Sequence, residues 1–226
     1  MKNLIKKILR PFVPPELRIL RRKQLGGKQL KIWRKYGLSI SPALIEWQRN
    51  GCPIPPPHFV KQLVIQEYQK KSGYTTLVET GTFLGDMVEV QKARFKKVIS
   101  IELGVELFER AKDRFINDKN VTIVQGDSGK VLPEVLKDIN EPSIFWLDGH
   151  YSAGLTAKGD KMCPIFEEVK AIFGNKRLNH ILLIDDARCF NGRDDYPTVK
   201  ILTEYIKKND EKYQVEVKHD IIRYMV

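Results

Sequence analysis

The stretch Leu77-Val78-Glu79-Thr80-Gly81-Thr82-Phe83-Leu84-Gly85-Asp86 decides the fold of this chain. An apolar run ends at Glu79, a loop with two glycines follows, and a helical pattern begins at Asp86. A strand, a glycine-containing loop and a helix in this order are typical of a doubly wound parallel sheet, where ligands bind beyond the carboxyl ends of the strands. The stretch therefore predicts an α/β fold and the position of a ligand site.

Strands and helices alternate on both sides of this stretch. Strand-like runs are predicted at residues 76–79, 97–102, 121–125, 144–148 and 181–185. Helical patterns are predicted at residues 59–71, 86–94, 105–117, 129–139, 164–174 and 196–208. Two β-rich runs, 213–218 and 221–226, indicate an antiparallel hairpin at the sheet edge. The sequence predicts a Rossmann-like, doubly wound sheet with helices on both faces.

The five strand-like runs all carry an acidic residue at or just after their C-terminal ends. These acids are Glu79, Glu102, Asp127, Asp148 and Asp185. Because the carboxyl ends of parallel strands meet at one edge, the acids share a crevice and repel one another. A purely structural sheet has no reason for this arrangement, which therefore indicates a functional site.

The glycine spacing separates two kinds of nucleotide cofactor. A dinucleotide site needs G-x-G-x-x-G so that backbone amides approach a pyrophosphate. Here three residues separate Gly81 from Gly85, and Glu79 precedes them. A carboxylate there opposes a phosphate and suits a cation. S-adenosylmethionine, which has no phosphate and carries an ammonium and a sulfonium, fits this pattern.

Two later acids match the rest of this cofactor. Glu102 lies 23 residues after Glu79 and is placed to accept both ribose hydroxyls. Asp127 is placed for the adenine amino group, with Gln125 and Ser128 beside it. Ser128 could instead be only the N-cap of the next helix, and the two roles are compatible.

The combination Glu79-x-Gly81-x-x-x-Gly85, Glu102, Gly126-Asp127 and Asp148 resembles the class I S-adenosylmethionine-dependent methyltransferases over about residues 60–226. The resemblance implies seven strands in the order 3-2-1-4-5-7-6, with the last strands antiparallel. It also implies the following cofactor-binding residues: Glu79, Thr80, Gly81, Thr82, Gly85, Asp86, Glu102, Leu103, Gly126, Asp127, Ser128 and Asp148.

The fourth and fifth strand ends carry more than this cofactor needs. Asp148-Gly149-His150-Tyr151-Ser152 and the later Asp185-Asp186 pair resemble the metal-dependent O-methyltransferases that modify sugar hydroxyls in macrolide and aminocoumarin antibiotics. That resemblance implies that Asp148, Asp185 and Asp186 bind a divalent metal, Mg²⁺ in the first place. Such a metal lowers the pKa of a sugar hydroxyl and positions it for methyl transfer. Capping or loop hydrogen bonding is the other explanation for Asp185-Asp186.

His150 stands where many of those sugar enzymes carry an acid, and it can act as a general base near pH 7. It could suffice without metal, with Asp148 orienting it; an ordinary loop histidine is the alternative. The following loop, residues 151–163, is interpreted as a substrate loop, with Tyr151 and Lys158 as substrate-binding candidates. Arg188 is a third candidate, for an anionic acceptor.

Three runs resemble methyltransferases from bacterial surface-polysaccharide gene clusters. The runs are residues 51–58, 145–151 and 184–188. This resemblance implies that the acceptor is a sugar, a nucleotide-sugar or a glycan. Two alternatives stay open: methylation of RNA or of a protein amine, and a non-catalytic membrane- or glycan-binding protein with a vestigial cofactor pocket.

Charge divides the chain unevenly. The 226 residues carry a net charge of +11, and residues 1–35 hold twelve basic residues and one acid, Glu16. The remainder is balanced, which argues against a nucleic-acid-binding surface. We predict a basic helical arm and proline-rich linker at residues 1–58 and a methyltransferase domain at residues 59–226. The arm fits an anionic partner, which is an anionic membrane surface, a polyanionic glycan or nucleic acid, or a partner subunit in a homo-oligomer.

Three widely spaced cysteines, Cys52, Cys163 and Cys189, form neither a disulfide framework nor a CxxC metal pair. The chain shows no long apolar run and no secretory signal pattern. The sequence therefore predicts a cytoplasmic protein, with a peripheral position on the inner membrane face as an option for the arm.

Overall fold

Seven strands form one mixed sheet in the part of the chain that the structure, a computed structural model, describes: residues 29, 31–38, 41–149, 162–174 and 178–226. The strands are β1 (Thr76–Thr80), β2 (Lys97–Glu102), β3 (Val121–Gln125), β4 (Ile144–Leu147), β5 (Ile181–Ile184), β6 (Gln214–Lys218) and β7 (Ile221–Met225). Their order is β3-β2-β1-β4-β5-β7-β6. The first five are parallel, and β7 runs antiparallel to both β5 and β6. The predicted fold class is confirmed.

Helices cover both faces of this sheet. They are α1 (Pro42–Arg49), α2 (His58–Ser72), α3 (Asp86–Gln91), α4 (Val105–Arg114), α5 (Ser128–Val135), α6 (Ile165–Gly174) and α7 (Val199–Asn209). Pro57 is the N-cap of α2, one position before the first helical position that proline favours. Gly73 ends the helix in the left-handed conformation, as glycine favours.

Two apolar layers hold the helices against the sheet. Trp146 belongs to the layer under α2, whereas its neighbour Phe145 belongs to the layer under α5, α6 and α7. Successive residues of a strand point to opposite faces, and β4 and β5 are buried along their whole length. Full burial explains why these strands are continuous apolar runs in the sequence.

The segment before α2 shares the first of these layers. Trp33 and Leu44 are fully buried and pack in the same cluster as Val60 of α2. The predicted division at residue 58 therefore does not coincide with a break in the core. Residues 1–28, which include most of the predicted basic arm, lie outside the described residues. Within the described ranges, none of the helices has the length and apolar character needed to cross a membrane.

Candidate active site

The loop after β1 passes close to the end of β4. Gly81 has a φ of 86°, and a Cβ added there would lie 2.5 Å from the carbonyl oxygen of Asp148. Gly85, with a φ of 83°, is the N-cap of α3, and its Cβ would lie 2.7 Å from the ring of Phe115. Both positions need glycine because of backbone conformation and space. The loop is thus fitted between the end of β4 and Phe115, the C-cap of α4.

Glu79 lies beneath this loop with only 2% of its surface exposed. Its Oε2 accepts a hydrogen bond from Ser100 Oγ at 2.5 Å, and Ser100 also contacts Thr82 Oγ1 at 2.6 Å. Burial raises the pKa of Glu79 to about 8 against the Ser100 hydrogen bond, and the carboxylates of Asp148 and Glu102 add to the rise. Glu79 therefore supports the loop from inside the site.

Glu102 ends β2 directly opposite the loop. Its Oε2 accepts the backbone N–H of Phe83 and its Oε1 that of Gly104, each at 2.8 Å. A carboxylate has about four lone-pair sites. Each oxygen therefore keeps acceptor capacity, which is what a pair of ribose hydroxyls requires.

The loop after β3 is built around Asp127. Asp127 is the N-cap of α5, and its Oδ1 accepts the N–H of Gly129 at 3.0 Å. Ser128 is buried and donates to Glu168 Oε1 at 2.6 Å, so the alternative that Ser128 caps this helix is wrong. The Nε2 of Gln125 donates to the carbonyl of Leu103 at 3.1 Å, which ties the β2 and β3 loops together.

Two of the predicted cofactor residues have structural partners. The buried Thr80 accepts the N–H groups of Asp148 and Gly149 at its Oγ1, each at 3.2 Å, and so joins the ends of β1 and β4. Asp86 pairs with Arg114 at 2.9 Å on the outer side of α3. The structure thus brings together the acids at the ends of β1, β2 and β4, whereas Asp86 turns toward α4.

A lysine that the sequence analysis did not single out lies at the ends of β4 and β5. The Nζ of Lys61, in the first turn of α2, donates to Asp185 Oδ2 and lies 3.9 Å from Asp186 Oδ1. Burial favours a lower pKa for Lys61, but the carboxylates of Asp185, Asp148 and Asp186 outweigh it and the pKa is raised. Lys61 is therefore a charged ammonium within a group of acids.

Asp185 is fully buried. Burial raises its pKa, the ammonium of Lys61 opposes this, and Asp186 reinforces it. Its backbone N–H donates to the carbonyl of Leu147 at 3.1 Å, so the residue extends the β4–β5 pairing. Its Oδ1 is buried without a hydrogen-bond partner among the described residues.

The donor set predicted for Mg²⁺, Asp148, Asp185 and Asp186, does not fit a divalent metal in this arrangement. Among the described residues, no group of three His, Cys, Asp or Glu side chains could hold a metal ion. In addition, the ammonium of Lys61 already neutralises Asp185 and would repel a second cation.

Arg188 is held by two acids at the edge of a cavity. Its Nη1 donates to Asp186 Oδ1 at 2.7 Å and also to Asp220 Oδ2. Beside it lies a cavity of about 360 Å³, which opens at the β6–β7 turn. Its lining includes Ile54, Ala187, Arg188, Lys218 and His219. This cavity lies beyond the end of β5, beside the residues that follow Asp186.

His58 is a second residue that the sequence analysis placed outside the site. Its pKa is lowered by burial and by Lys61, while Asp86 and Asp185 act in the opposite direction. Its Nδ1 is 2.9 Å from Gln62 Nε2. The N-terminal turn of α2 thus faces the acids of the site. The predicted base His150 and the predicted substrate residues Tyr151 and Lys158 lie outside the described residues.

Comparison with known proteins establishes the fold. No protein-family model and no curated protein sequence matches this chain. Among solved structures, a putative caffeoyl-CoA O-methyltransferase from Staphylococcus aureus is similar with a TM-score of 0.55 and 15% identity, over 89% of this chain and 100% of that chain. The SAH-bound methyltransferase PaMTH1 from Podospora anserina gives a TM-score of 0.52 and 11% identity, over 94% and 88% of the two chains.

The N-methyltransferase NodS from Bradyrhizobium japonicum is similar with a TM-score of 0.51 and 12% identity, over 74% of this chain and 94% of that chain. Identities this low show a shared fold alone. The chain has the Rossmann-like fold of these methyltransferases, with the same seven-stranded sheet.

Proposed function

We propose that this protein is an S-adenosylmethionine-dependent O-methyltransferase that methylates a sugar hydroxyl of a bacterial surface glycan or of its precursor. The observation that carries the cofactor part of the proposal is the carboxylate of Glu102, held by the N–H groups of Phe83 and Gly104 across from the Gly81 loop. This pairing presents two acceptor oxygens at the end of β2, where a nucleoside ribose would lie.

The charge of the site supports a cationic cofactor. The carboxylates of Glu102 and Asp148 both act on the buried Glu79 in one crevice, and the loop above them carries no side-chain cation. A pyrophosphate would meet these acids at close range, and the repulsion would oppose its binding. The ammonium and sulfonium of S-adenosylmethionine would instead be attracted.

The residues of the chain have separate tasks in the proposed reaction. When bound, S-adenosylmethionine supplies an electrophilic methyl group. The acceptor oxygen forms a bond to the methyl carbon, the sulfur–carbon electron pair stays on sulfur, and the hydroxyl proton passes to a base. We assign that base to His150, with Asp148 orienting it, and the substrate contacts to Tyr151, Lys158 and Arg188.

The acceptor side of the proposal rests on sequence motifs and on the shape of the crevice. The cavity of about 360 Å³ beside Arg188 is lined by apolar groups such as Ile54 and by the cationic Lys218. Mixed polar and apolar walls suit a sugar, which presents hydroxyls at its edge and C–H groups on its faces. The balanced charge of residues 36–226, with 27 basic and 27 acidic residues, disfavours RNA.

The basic arm belongs to the same proposal. Residues 1–35 would hold the enzyme on the anionic inner face of the membrane, close to a lipid-linked acceptor. Packing against a second subunit is the other role that we assign to this segment.

Calorimetry with S-adenosylmethionine and S-adenosylhomocysteine tests the cofactor assignment. We expect wild-type protein to bind both, and Glu102→Gln to lose at least about tenfold in affinity because a hydroxyl-accepting oxygen is replaced by a donor. Glu106→Ala, on the exposed first turn of α4, is the matched control and should bind as wild type does. Equal affinity in wild type and Glu102→Gln would contradict the assignment.

Transfer of labelled methyl groups to a panel of nucleotide-sugars and glycans then tests the acceptor.

A further inference from the structure

The crevice has two halves, and Lys61 belongs to the half that the cofactor residues leave free. Glu79, Glu102 and Asp127 follow β1, β2 and β3, which form one side of the sheet. The Nζ of Lys61 meets Asp185 and Asp186, which follow β5, while β4 separates β5 from β1. If the cofactor lies over β1 to β3, Lys61 stands on the acceptor side.

Lys61 is fixed there by burial and by an ion pair. Its side chain is 16% exposed, and that of Asp185 is fully buried. An ammonium group has three N–H donors. One is directed at Asp185, and Asp186 at 3.9 Å is beyond hydrogen-bond distance, so within the described residues the group keeps donors for a ligand.

The partner carboxylate also has unused capacity. Asp185 Oδ1 is buried without a hydrogen-bond partner among the described residues. A buried acceptor left without a donor costs about 1–3 kcal/mol. A sugar presents adjacent hydroxyls, so one ligand hydroxyl could donate to Asp185 Oδ1 while its neighbour, the hydroxyl that is methylated, accepts from Lys61 Nζ and keeps its proton for the base.

We propose that Lys61 and Asp185 together bind two adjacent hydroxyls of the acceptor, that the hydroxyl held by Lys61 is the one methylated, and that the Lys61 ammonium takes the place of the divalent cation expected from Asp148, Asp185 and Asp186. The ligand class is a neutral diol, such as two neighbouring hydroxyls of a sugar. The inference rests on the proposed function, because it assigns the acceptor half of the same site. It makes Lys61 an acceptor-binding residue and the enzyme independent of metal.

The chemistry of a metal ion and of an ammonium group explains how Lys61 can take the place of the metal. A metal ion would draw ligands from several carboxylates at once, which the described residues do not assemble. A lysine needs only one carboxylate partner and carries its charge on a flexible stem anchored in α2. Both cations stabilise negative charge that develops on the acceptor oxygen as its proton leaves.

Titration of the whole protein with MgCl₂ tests the metal part without any acceptor. By calorimetry, with and without S-adenosylhomocysteine, we expect no saturable binding to wild-type protein. Saturable binding of Mg²⁺ that the substitution Asp185→Asn abolishes would overturn the inference. Chelator-treated enzyme should likewise keep its full transfer activity, and loss of activity that Mg²⁺ restores would count against the inference.

The substitution Lys61→Met tests the role of the ammonium. With the acceptor that shows transfer in the nucleotide-sugar and glycan panel, we expect kcat/KM to fall by about 10²-fold, the usual effect of losing one donor to a developing oxyanion. Affinity for S-adenosylmethionine should be unchanged, and Lys61→Arg should retain part of the activity. Lys200→Met, whose side chain is 85% exposed on α7, is the control and should be fully active.

The double variant Lys61→Met/Asp185→Asn guards against misfolding, because it removes both charges of the buried pair. It should unfold at a temperature near that of wild type and show the same loss of activity. Full activity in Lys61→Met or in the double variant would overturn the inference. Failure of the proposed function has a different signature: wild-type protein would then not bind S-adenosylmethionine at all.

Discussion

A carboxyl group buried at the end of β1 couples the stability of this protein to pH. Burial raises the pKa of Glu79 from 4.5 to about 8. Between these two pH values the folded protein holds a proton that the unfolded chain has released. The free energy of unfolding therefore falls as pH rises through this range, by up to about 1.4 kcal/mol per pH unit from this group, and the fall ends above pH 8.

The substitution Glu79→Gln should remove this dependence. Glutamine can still accept the hydrogen bond from Ser100 but does not ionise. We expect the variant to gain stability relative to wild type as pH rises from about 5 to 8, with little difference near pH 4.5. Urea unfolding at several pH values measures the difference, and parallel curves for the two proteins would contradict the raised pKa.

The glycine before the cofactor loop is required by its surroundings. The φ of 86° at Gly81 is one that a residue with a side chain rarely adopts, and an added Cβ would lie only 2.5 Å from the carbonyl oxygen of Asp148. We expect Gly81→Ala to lower stability by more than about 2 kcal/mol and to weaken binding of S-adenosylmethionine. Gly174→Ala, where an added Cβ would have no neighbour within 4 Å, is the control and should leave both unchanged. Thermal unfolding and calorimetry test this pair.

Sequence patterns identify residues whose neighbours follow from local spacing, and they miss residues that meet only because distant elements pack together. Gly81, Glu102 and Asp127 lie at strand ends, so their neighbourhood follows from local spacing and from the parallel sheet. Lys61 meets Asp185 across 124 residues, and only the direction of α2 over the sheet brings them together. No local pattern carries that information, although a lysine in the first turn of a helix before β1 is compatible with it.

Helix α2 (His58–Ser72) joins the N-terminal segment to the sheet through a buried acid. Glu67 is 2% exposed; its Oε2 accepts hydrogen bonds from Trp33 Nε1 at 2.7 Å and from Gln29 Nε2, and its Oε1 accepts from Lys71. The pattern of α2 in the sequence shows Glu67 on the apolar side, but its partners Trp33 and Gln29 precede it by more than thirty residues.

The substitution Glu67→Ala should release this segment from the core. It leaves the buried donors of Trp33 and Gln29 without their acceptor, so we expect a loss of about 3 kcal/mol in the free energy of unfolding. Glu134→Ala, at a side chain that is 76% exposed on α5, should cost less than about 0.5 kcal/mol. Urea unfolding compares them, and limited proteolysis should cleave Glu67→Ala earlier near residues 29–38. Equal stability of the two variants would contradict this role for Glu67.

Helix boundaries show where sequence patterns lose precision. The predicted helix at 196–208 begins at Val199 instead, because Pro197 restricts the residue before it and Thr198 caps the helix by accepting the N–H of Ile201 at 3.2 Å. The last turn of the predicted helix at 129–139 is a 3₁₀ helix, Leu136–Asp138. In contrast, β2 and β3 have the predicted bounds, since alternation with turn residues marks both of their ends.

In the whole molecule, the order of the strands in the sheet determines which strand-end side chains lie next to one another. The change of direction between β1 and β4 opens the crevice, and the acids of neighbouring strands face it together. This much follows from the alternation of strands and helices. The packing of residues 31–38 on the same core does not, because a basic, proline-interrupted stretch resembles a separate arm.

Most of the positive charge imbalance of the molecule lies in its N-terminal segment. Residues 1–28 contain nine basic residues and one acid, while the rest of the chain carries only a small net charge. A basic residue near an anionic bilayer contributes about 1 kcal/mol of binding. We therefore expect the full chain to bind phosphatidylglycerol vesicles, and deletion of residues 1–28 to weaken this binding by more than about 100-fold. Neutral phosphatidylcholine vesicles and raised salt are the controls, in cosedimentation assays. If the shortened chain cosediments as well as the full chain does, the membrane role of the arm is wrong and its partner must be sought in a second subunit.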